Sequence, residues 1–230
     1  MVKMPFDALA TDFDGTIAHD GHVDDTTLAA LQSVRRAGLR LVMVTGRELS
    51  DLSNTFPHLA IFDRVVAENG ALLFDPKTEA TRVLAAPPPP AMVEWLTRRS
   101  VPLSVGHSIV ATVERHESEV REAIRELGLA WHIIFNKGAV MALPADVNKA
   151  TGLLRALEEL GVTPGRTIGI GDAENDRDFL SACGLAVAVA NALDSVKEIA
   201  DVVTAGERGQ GVAEFIDRLQ RGDFDDDSRL

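Results

Sequence analysis

Two aspartates near the start of the chain have the types and the spacing of residues that could do chemistry together. Asp12 and Asp14 lie in the run Thr11-Asp12-Phe13-Asp14-Gly15-Thr16, directly after an apolar segment that predicts a buried strand. Carboxylates at such a place cost free energy unless a cation or hydrogen bonds compensate for their charge. The alternative is a turn that uses Asp and Gly for backbone reasons alone. The run therefore indicates a site at which two carboxylates serve a cation or a reaction.

The elements around this run predict an α/β core with a parallel sheet. Apolar runs of strand length alternate with amphipathic helical patterns at both ends of the chain, as expected of a sheet covered on both faces. The predicted strands end at Asp12, Thr45, Glu68 and Asp172. Because parallel α/β sheets bind ligands at the carboxyl ends of their strands, we expect these ends to form one site.

Oxygen-bearing side chains dominate these strand ends. They are Asp12, Asp14, Thr45, Glu68, Asn69, Asp172, Asn175 and Asp176. Carboxylate and amide oxygens are the ligands that hard divalent cations prefer. The sequence therefore predicts a site for such a cation at the edge of the sheet.

The α/β alternation breaks in the middle of the chain. Residues 83–144 read as helix, two strands, helix, two strands, which predicts a small α+β module with an antiparallel sheet. We therefore predict a core of residues 1–82 and 145–230, with 83–144 as an inserted module. Pro87–Pro90 suits a stiff spacer between the two parts, and equally a rigid surface loop.

Composition restricts the partners of the chain. The formal net charge of −12 disfavours binding to nucleic acid or an anionic membrane, where a basic face is expected. It does not exclude an anionic substrate, because a metal ion can invert the local field. No apolar run approaches the roughly 18 residues of a membrane span. We expect a cytoplasmic protein, a monomer or a homodimer, with a solvated acidic tail over 223–230.

Four segments resemble the motifs of the haloacid dehalogenase superfamily of Asp-dependent phosphohydrolases. Asp12–Thr16 resembles the first motif, Thr45–Arg47 the second, and Gly171–Asp176 the fourth. Glu68–Gly70 resembles a segment of the Cof-type subgroup. The position of the inserted module, before Lys149, is similar to the type IIB cap of archaeal-type phosphoglycolate phosphatases and sugar phosphatases. The resemblance implies a Rossmann-like core with an αββαββ cap.

The resemblance also implies roles for single residues. Asp12 would be the nucleophile and Asp14 the general acid/base, while Thr45 and Lys149 would bind the phosphoryl group. Mg²⁺ would be bound by Asp12, the backbone carbonyl of Asp14, Asp172 and Asp176. Substrate-binding residues would be Thr45, Gly46, Arg47, Asn69, Lys149 and Asn175.

The function expected from this resemblance is that of a Mg²⁺-dependent phosphatase, a phosphoric monoester hydrolase. It would act on a small phosphorylated metabolite, phosphoglycolate or a sugar phosphate, through an aspartyl-phosphate intermediate. The alternative is a catalytically idle module that binds a phosphorylated metabolite and regulates a partner. In the inserted module, the polar residues that could read the leaving group are His107, Ser108, Arg115, His116 and Lys137.

Overall fold

The structure, a computed structural model, describes residues 5–136 and 138–224. Lys137 and most of the predicted acidic tail, residues 225–230, lie outside the described residues. Among the residues that are described, no helix has both the length and the apolar character needed to cross a membrane.

An eight-stranded sheet forms the larger part of the molecule. Its strands run in the order β12-β11-β10-β1-β2-β3-β4-β5. The strands are β1 Ala8–Thr11, β2 Arg40–Val44, β3 Arg64–Ala67, β4 Leu72–Asp75, β5 Ala80–Val83, β10 Thr167–Gly171, β11 Leu185–Ala188 and β12 Val202–Val203. The six from β12 to β3 are parallel, and β4 and β5 add a hairpin at the edge. This is the predicted parallel sheet, extended at one edge by two antiparallel strands.

Helices cover both faces of this sheet. They are α1 Asp25–Arg36, α2 Leu49–Thr55, α5 Lys149–Leu160, α6 Arg177–Ala182, α7 Asp194–Lys197 and α8 Arg208–Gln220. Local sequence sets the ends of α5. The side chain of Asn148 accepts a hydrogen bond from Thr151 N at 2.9 Å, and Gly161 ends the helix in the left-handed conformation. The helix therefore begins at a fixed residue, Lys149, close to the carboxyl ends of the core strands.

A second, four-stranded sheet lies between β5 and α5 in the chain. Its order is β6-β7-β9-β8 and all its neighbours are antiparallel. The strands are β6 Ser104–Val105, β7 Val110–Val113, β8 Trp131–Asn136 and β9 Ala139–Pro144, and the helices are α3 Pro90–Arg98 and α4 Glu117–Glu126. The element order matches the predicted αββαββ pattern. The first strand, β6, has only two residues, and Val101 N, shortly before it, donates a hydrogen bond to Leu96 O in the last turn of α3.

The two sheets meet through a small apolar cluster and one buried carboxylate. Ala71, Ile109, Met141, Leu143 and Val147 are buried together at the junction. Beside them Glu68, fully buried, accepts hydrogen bonds from His107 N at 3.0 Å and Ser108 N at 2.9 Å. A core residue thus binds the backbone of the second sheet.

Helix α5 approaches the core more closely than it could if Gly70 and Gly152 carried side chains. The Cα atom of Gly70 lies in the 3₁₀ turn 68–70, at φ +105°. A Cβ atom at Gly70 would lie 1.9 Å from Asn148 O, and one at Gly152 would lie 2.5 Å from the Gly70 Cα. Only glycine at both positions permits this contact, which places the first residue of α5 over the ends of the strands.

We predict that Gly70→Ala destabilises the fold much more than Gly38→Ala. Both glycines have nearly the same φ, +105° and +107°. An alanine at either position is therefore destabilised by about 1–2 kcal/mol through its left-handed backbone conformation. An added Cβ at Gly38 meets nothing within 4 Å, whereas at Gly70 it collides with Asn148. Overpacking raises the expected loss for Gly70→Ala to about 2–5 kcal/mol. Urea unfolding measures both, and equal losses would show that the helix contact carries no constraint.

Candidate active site

The polar residues at the strand ends lie where the strand order of the core sheet reverses. From β1 the chain continues to β2 on one side, while β10 pairs with β1 on the other. Asp12 directly follows β1 and Asp172 directly follows β10. Because these strands are parallel and adjacent, their carboxyl ends bring the two aspartates together, at the place where α/β sheets bind ligands.

Three buried carboxylates form the centre of the site. Oxygen atoms of Asp12, Asp172 and Asp176 all lie within 4.8 Å of one another. The second carboxylate oxygen of Asp176 accepts hydrogen bonds from Asp172 N and Ala173 N, both at 2.9 Å, which fixes the turn after β10. Thr16 Oγ1 donates to Asp172 at 2.9 Å. The first and fourth motifs therefore converge on one point.

Lys149 joins two of these carboxylates. Its Nζ donates to Asp12 Oδ1 and to Asp176 Oδ1, both at 2.6 Å, and its side chain is 1% exposed. Burial alone would lower the pKa of Lys149, but Asp12 and Asp176 raise it, so the ammonium stays charged. A buried, charge-assisted bridge of this kind ties the start of α5 to the ends of β1 and β10.

The charges of this centre do not balance within the protein. When all are ionised, three carboxylates and one ammonium leave two negative charges in a buried place. Burial is the largest influence on the pKa of Asp12; the Lys149 ammonium opposes it, Asp176 and Asp172 add to it, and the result is a pKa of about 8. A divalent cation with oxygen ligands would neutralise this excess, so the donor set fits a metal such as Mg²⁺.

Asp14 is engaged differently from the other aspartates. Its two carboxylate oxygens accept hydrogen bonds from Arg47 Nε at 2.7 Å and Arg47 Nη2 at 2.8 Å. The third nitrogen of the same guanidinium, Arg47 Nη1, donates to Asp51 Oδ2 at 2.7 Å. This bidentate pair orients the Asp14 carboxylate firmly. Arg47, predicted to bind substrate, thus contacts the predicted acid/base, a partnership that the sequence did not indicate.

A chain of amides links the remaining motif residues. Asn175 Nδ2 donates to Asn69 Oδ1 at 3.0 Å, and Asn69 Nδ2 contacts Met141 Sδ of the second sheet at 3.2 Å. Asn69 also packs under Gly46, where an added Cβ would lie 3.1 Å from its side chain. Thr45, buried, accepts a hydrogen bond from Arg47 N at 3.1 Å. The predicted substrate-binding residues are therefore neighbours.

Two cavities open beside this centre, between the core and the second sheet. The larger, about 580 Å³, is lined by Asp14, Arg47 and Asp51 of the core and by Ala139 and Met141 of the second sheet. The smaller, about 380 Å³, is lined by Asp172, Glu174 and Asn191, and by Phe135 of the second sheet. Gly15 and Arg208 line both cavities. The second sheet therefore covers the site on two sides.

Four of the five polar residues proposed for the inserted module are described, and they lie elsewhere. His107 and Ser108 face Glu68, with His107 Nδ1 at 2.9 Å from its carboxylate. Arg115 contacts His116, which in turn contacts Glu119 at 3.1 Å. None of these four lines either cavity in the described part of the chain, and Lys137 lies outside it. The module faces the cavities with Ala139, Met141 and Phe135 instead.

Known proteins are similar to this chain over most of its length. A family model described as haloacid dehalogenase-like hydrolase matches residues 9–94 and 109–216. A phosphoglycolate phosphatase from Methanothermobacter thermautotrophicus is 33% identical over 221 residues, which cover 92% of this chain and 98% of that protein. The chain belongs to the haloacid dehalogenase-like hydrolases. The predicted family is thereby confirmed.

Solved structures agree on the fold of this haloacid dehalogenase-like hydrolase. A HAD/COF-like hydrolase from Plasmodium vivax has a TM-score of 0.80 at 19% identity, covering 96% of this chain and 97% of that one. A sugar phosphatase of HAD subclass IIB has a TM-score of 0.76 at 20% identity, covering 93% and 98%. The predicted fold class, an α/β core with an additional α+β unit, is confirmed.

The cavities of this hydrolase are also lined by residues that were not predicted from the sequence, among them Phe135, Met141, Asn191 and Arg208. Phe135 and Met141 lie in apolar strands whose alternation predicts burial without saying against what. Asn191 and Arg208 lie in no motif quoted above. Asn191 follows β11, and the ends of parallel strands are the one general signal that could have pointed to it.

We predict that the metal-free hydrolase loses stability as the pH rises towards 8. An unfolded Asp12 is ionised above its ordinary pKa of 3.8, whereas the folded one keeps its proton up to about pH 8. Between about pH 4 and pH 8 the folded state therefore binds more protons than the unfolded state, and the free energy of unfolding falls as the pH rises. The titration of Asp12 lowers the free energy of unfolding by at most about 1.4 kcal/mol per pH unit.

The matched control is Asp12→Asn, which has no carboxyl group to titrate. In chelator, the stability difference between wild type and Asp12→Asn should shrink or reverse in sign from about pH 5 to about pH 8, as measured by urea unfolding. Added Mg²⁺ should stabilise the wild type more at the higher pH, because its ligands must lose their protons. A difference that stays constant with pH would contradict the assignment.

Proposed function

We propose that this chain is a Mg²⁺-dependent phosphatase that cleaves a small phosphorylated metabolite through an aspartyl-phosphate on Asp12. Phosphoglycolate is the first candidate substrate and a sugar phosphate the second. The observation that carries the proposal is the buried bridge of Lys149 between Asp12 and Asp176, next to Asp172. It combines an aligned carboxylate, a fixed cation and a set of oxygen ligands in one place.

The predicted enzyme class, a phosphoric monoester hydrolase, is confirmed. The family model covers both halves of the core, and the curated relatives from Methanothermobacter thermautotrophicus and Methanopyrus kandleri, 33% and 32% identical, are named phosphoglycolate phosphatase. The names of these relatives support phosphoglycolate as the substrate to test first. The likeness to the sugar phosphatase of subclass IIB is evidence for the fold and not for the substrate.

In the proposed first step, Asp12 attacks the phosphorus atom of the substrate. A bond forms between its carboxylate oxygen and phosphorus, and the bond from phosphorus to the ester oxygen breaks. Lys149 and Thr45 would bind phosphoryl oxygens as charge shifts in the transition state. Mg²⁺, held by Asp12, Asp172, Asp176 and the backbone carbonyl of Asp14, would offset the repulsion between two anions.

Asp14 is proposed to handle the protons of both steps. In the first step it donates a proton to the leaving oxygen, and in the second its carboxylate takes a proton from the water that hydrolyses the aspartyl-phosphate. Arg47 fixes this carboxylate with two hydrogen bonds, so a role in positioning Asp14 accompanies its proposed contact with substrate. Asn69 and Asn175 would align the phosphoryl-binding turns around Lys149.

Residues 83–144 are proposed to act as a type IIB cap over the core of 1–82 and 145–230. Three observations support this role. The second sheet lines both cavities beside the carboxylates, Glu68 binds its backbone, and an apolar cluster seals the junction. Such a cover would exclude water from the phosphoryl group during transfer.

The second candidate, an idle binding module with a regulatory role, has no specific observation in its favour. All the carboxylates that transfer requires are in the site, and Asp12 and Asp14 are each held in a defined orientation. Measured turnover separates the two functions.

We predict that purified protein hydrolyses phosphoglycolate with Mg²⁺ and loses this activity in EDTA. Asp12→Asn removes the attacking charge at nearly constant volume, so turnover should fall by more than about 1,000-fold while the protein remains folded. A coupled assay for released phosphate measures both effects, with the melting temperature as the check on folding. Full activity in chelator, or near wild-type turnover of Asp12→Asn, would disprove the mechanism.

We predict that Asp14→Asn traps the aspartyl-phosphate when the substrate is an aryl phosphate. A phenolate leaves without much help from an acid, so the first step proceeds, whereas the second step lacks its base. The phenol should appear in a burst equal to the enzyme concentration, and the intact protein should gain the mass of one phosphoryl group. The double variant Asp12→Asn/Asp14→Asn is the control and should show neither signal. A mass increase in the double variant would place the phosphoryl group elsewhere.

A further inference from the structure

We propose that Arg208 binds an anionic group, a carboxylate, on the alcohol part of the substrate. The favoured substrates would then be phosphomonoesters whose leaving group itself carries a carboxylate. This inference rests on the proposed function and adds to it a residue that chooses among substrates. Arg208 belongs to the core and to none of the four motifs, whereas the sequence placed substrate selection in the inserted module.

The position of Arg208 between the two cavities is the first argument. It lines the larger cavity together with Asp14, the proposed proton donor to the leaving oxygen. It also lines the smaller cavity together with Asp172. With the phosphoryl group at the carboxylates and the leaving oxygen at Asp14, the rest of the substrate would lie in the cavity that Arg208 lines.

The available charge is the second argument. Arg47 and Arg208 are the arginines among the described residues that line the two cavities, and no lysine lines them. Arg47 is committed to Asp14 and Asp51. The described partner of the Arg208 side chain is Glu207 at 2.9 Å, a neighbour whose side chain is 61% exposed. A surface pair of this kind is weak, so the guanidinium can turn to a ligand at low cost.

The surroundings would repel an anion without this guanidinium. Asp14, Asp20 and Asp51 line the larger cavity, Asp172 and Glu174 line the smaller one, and the whole chain carries a net charge of −12. A guanidinium matches a carboxylate with two parallel hydrogen bonds, and the other described guanidinium at this opening, that of Arg47, is already bound to Asp14.

The backbone of Arg208 is the third argument. Its φ of +49° is a left-handed conformation, which a non-glycine residue keeps only when its surroundings hold it there. The side chain of Asn191 holds this segment with two hydrogen bonds. Asn191 Oδ1 accepts a hydrogen bond from Arg208 N at 2.7 Å, and Asn191 Nδ2 donates to Gly15 O at 2.8 Å. The backbone of Arg208 is thus tied to the residue after Asp14, so the side chain starts from a fixed point near the proposed proton donor.

The test compares two substrates that differ in one group. Phosphoglycolate carries a carboxylate where 2-hydroxyethyl phosphate carries a hydroxymethyl group. For the wild type with Mg²⁺, kcat/KM should favour phosphoglycolate. In Arg208→Gln the ratio of the two kcat/KM values should fall by tenfold or more, about 1.4 kcal/mol of transition-state binding, chiefly through a higher KM for phosphoglycolate. Arg208→Lys keeps the charge without the planar fork, so its ratio should fall less.

Each outcome decides the matter. A selective loss in Arg208→Gln with partial retention in Arg208→Lys supports the proposal, given unchanged melting temperatures. Equal losses on both substrates, an unchanged ratio, or a wild type with no preference for phosphoglycolate would overturn it while leaving the phosphatase assignment intact. If the wild type cleaves neither substrate nor an aryl phosphate, the proposed function itself fails, and this inference with it.

Discussion

The site depends on one buried ammonium group. Lys149 Nζ lies between Asp12 and Asp176, which follow two neighbouring strands of the core sheet. Without it, three carboxylates would share a buried space with no protein cation to offset them. Lys149 reaches this place because α5 begins at that residue and because Gly70 and Gly152 let the helix lie almost in contact with the backbone below. The chemistry of the site is thus set by how closely a helix can approach.

Three consecutive residues connect the parts of the molecule, and each does so through different atoms. The carboxylate of Glu68 binds backbone N–H groups of the second sheet. The amide of Asn69 accepts a hydrogen bond from Asn175 beside the aspartates. Gly70 leaves room for α5. All three have positive φ values, which strains Glu68 and Asn69 but not Gly70, and three contacts are thereby placed within one turn.

The fold and the central residues could be predicted because both leave local signals. Apolar runs mark the strands, and Asp12, Asp14, Asp172 and Asp176 follow them in recognisable spacing. What could not be predicted depends on partners far away in the chain. No local pattern around Arg47 predicts its hydrogen bonds to Asp14. No local pattern around His107 predicts its contact with Glu68, which lies 39 residues earlier. The side chains that line the cavities from the second sheet are apolar, so polarity was a poor guide to them.

Glu68 also determines what separation of the two sheets would require. Its side chain is fully buried, and the groups that bind it belong to His107 and Ser108, in the loop between β6 and β7. Moving that loop away leaves a carboxylate that must be solvated, so water has to enter the junction as it opens. Any opening of this junction would therefore take up water, so excluded solutes such as sucrose should oppose it.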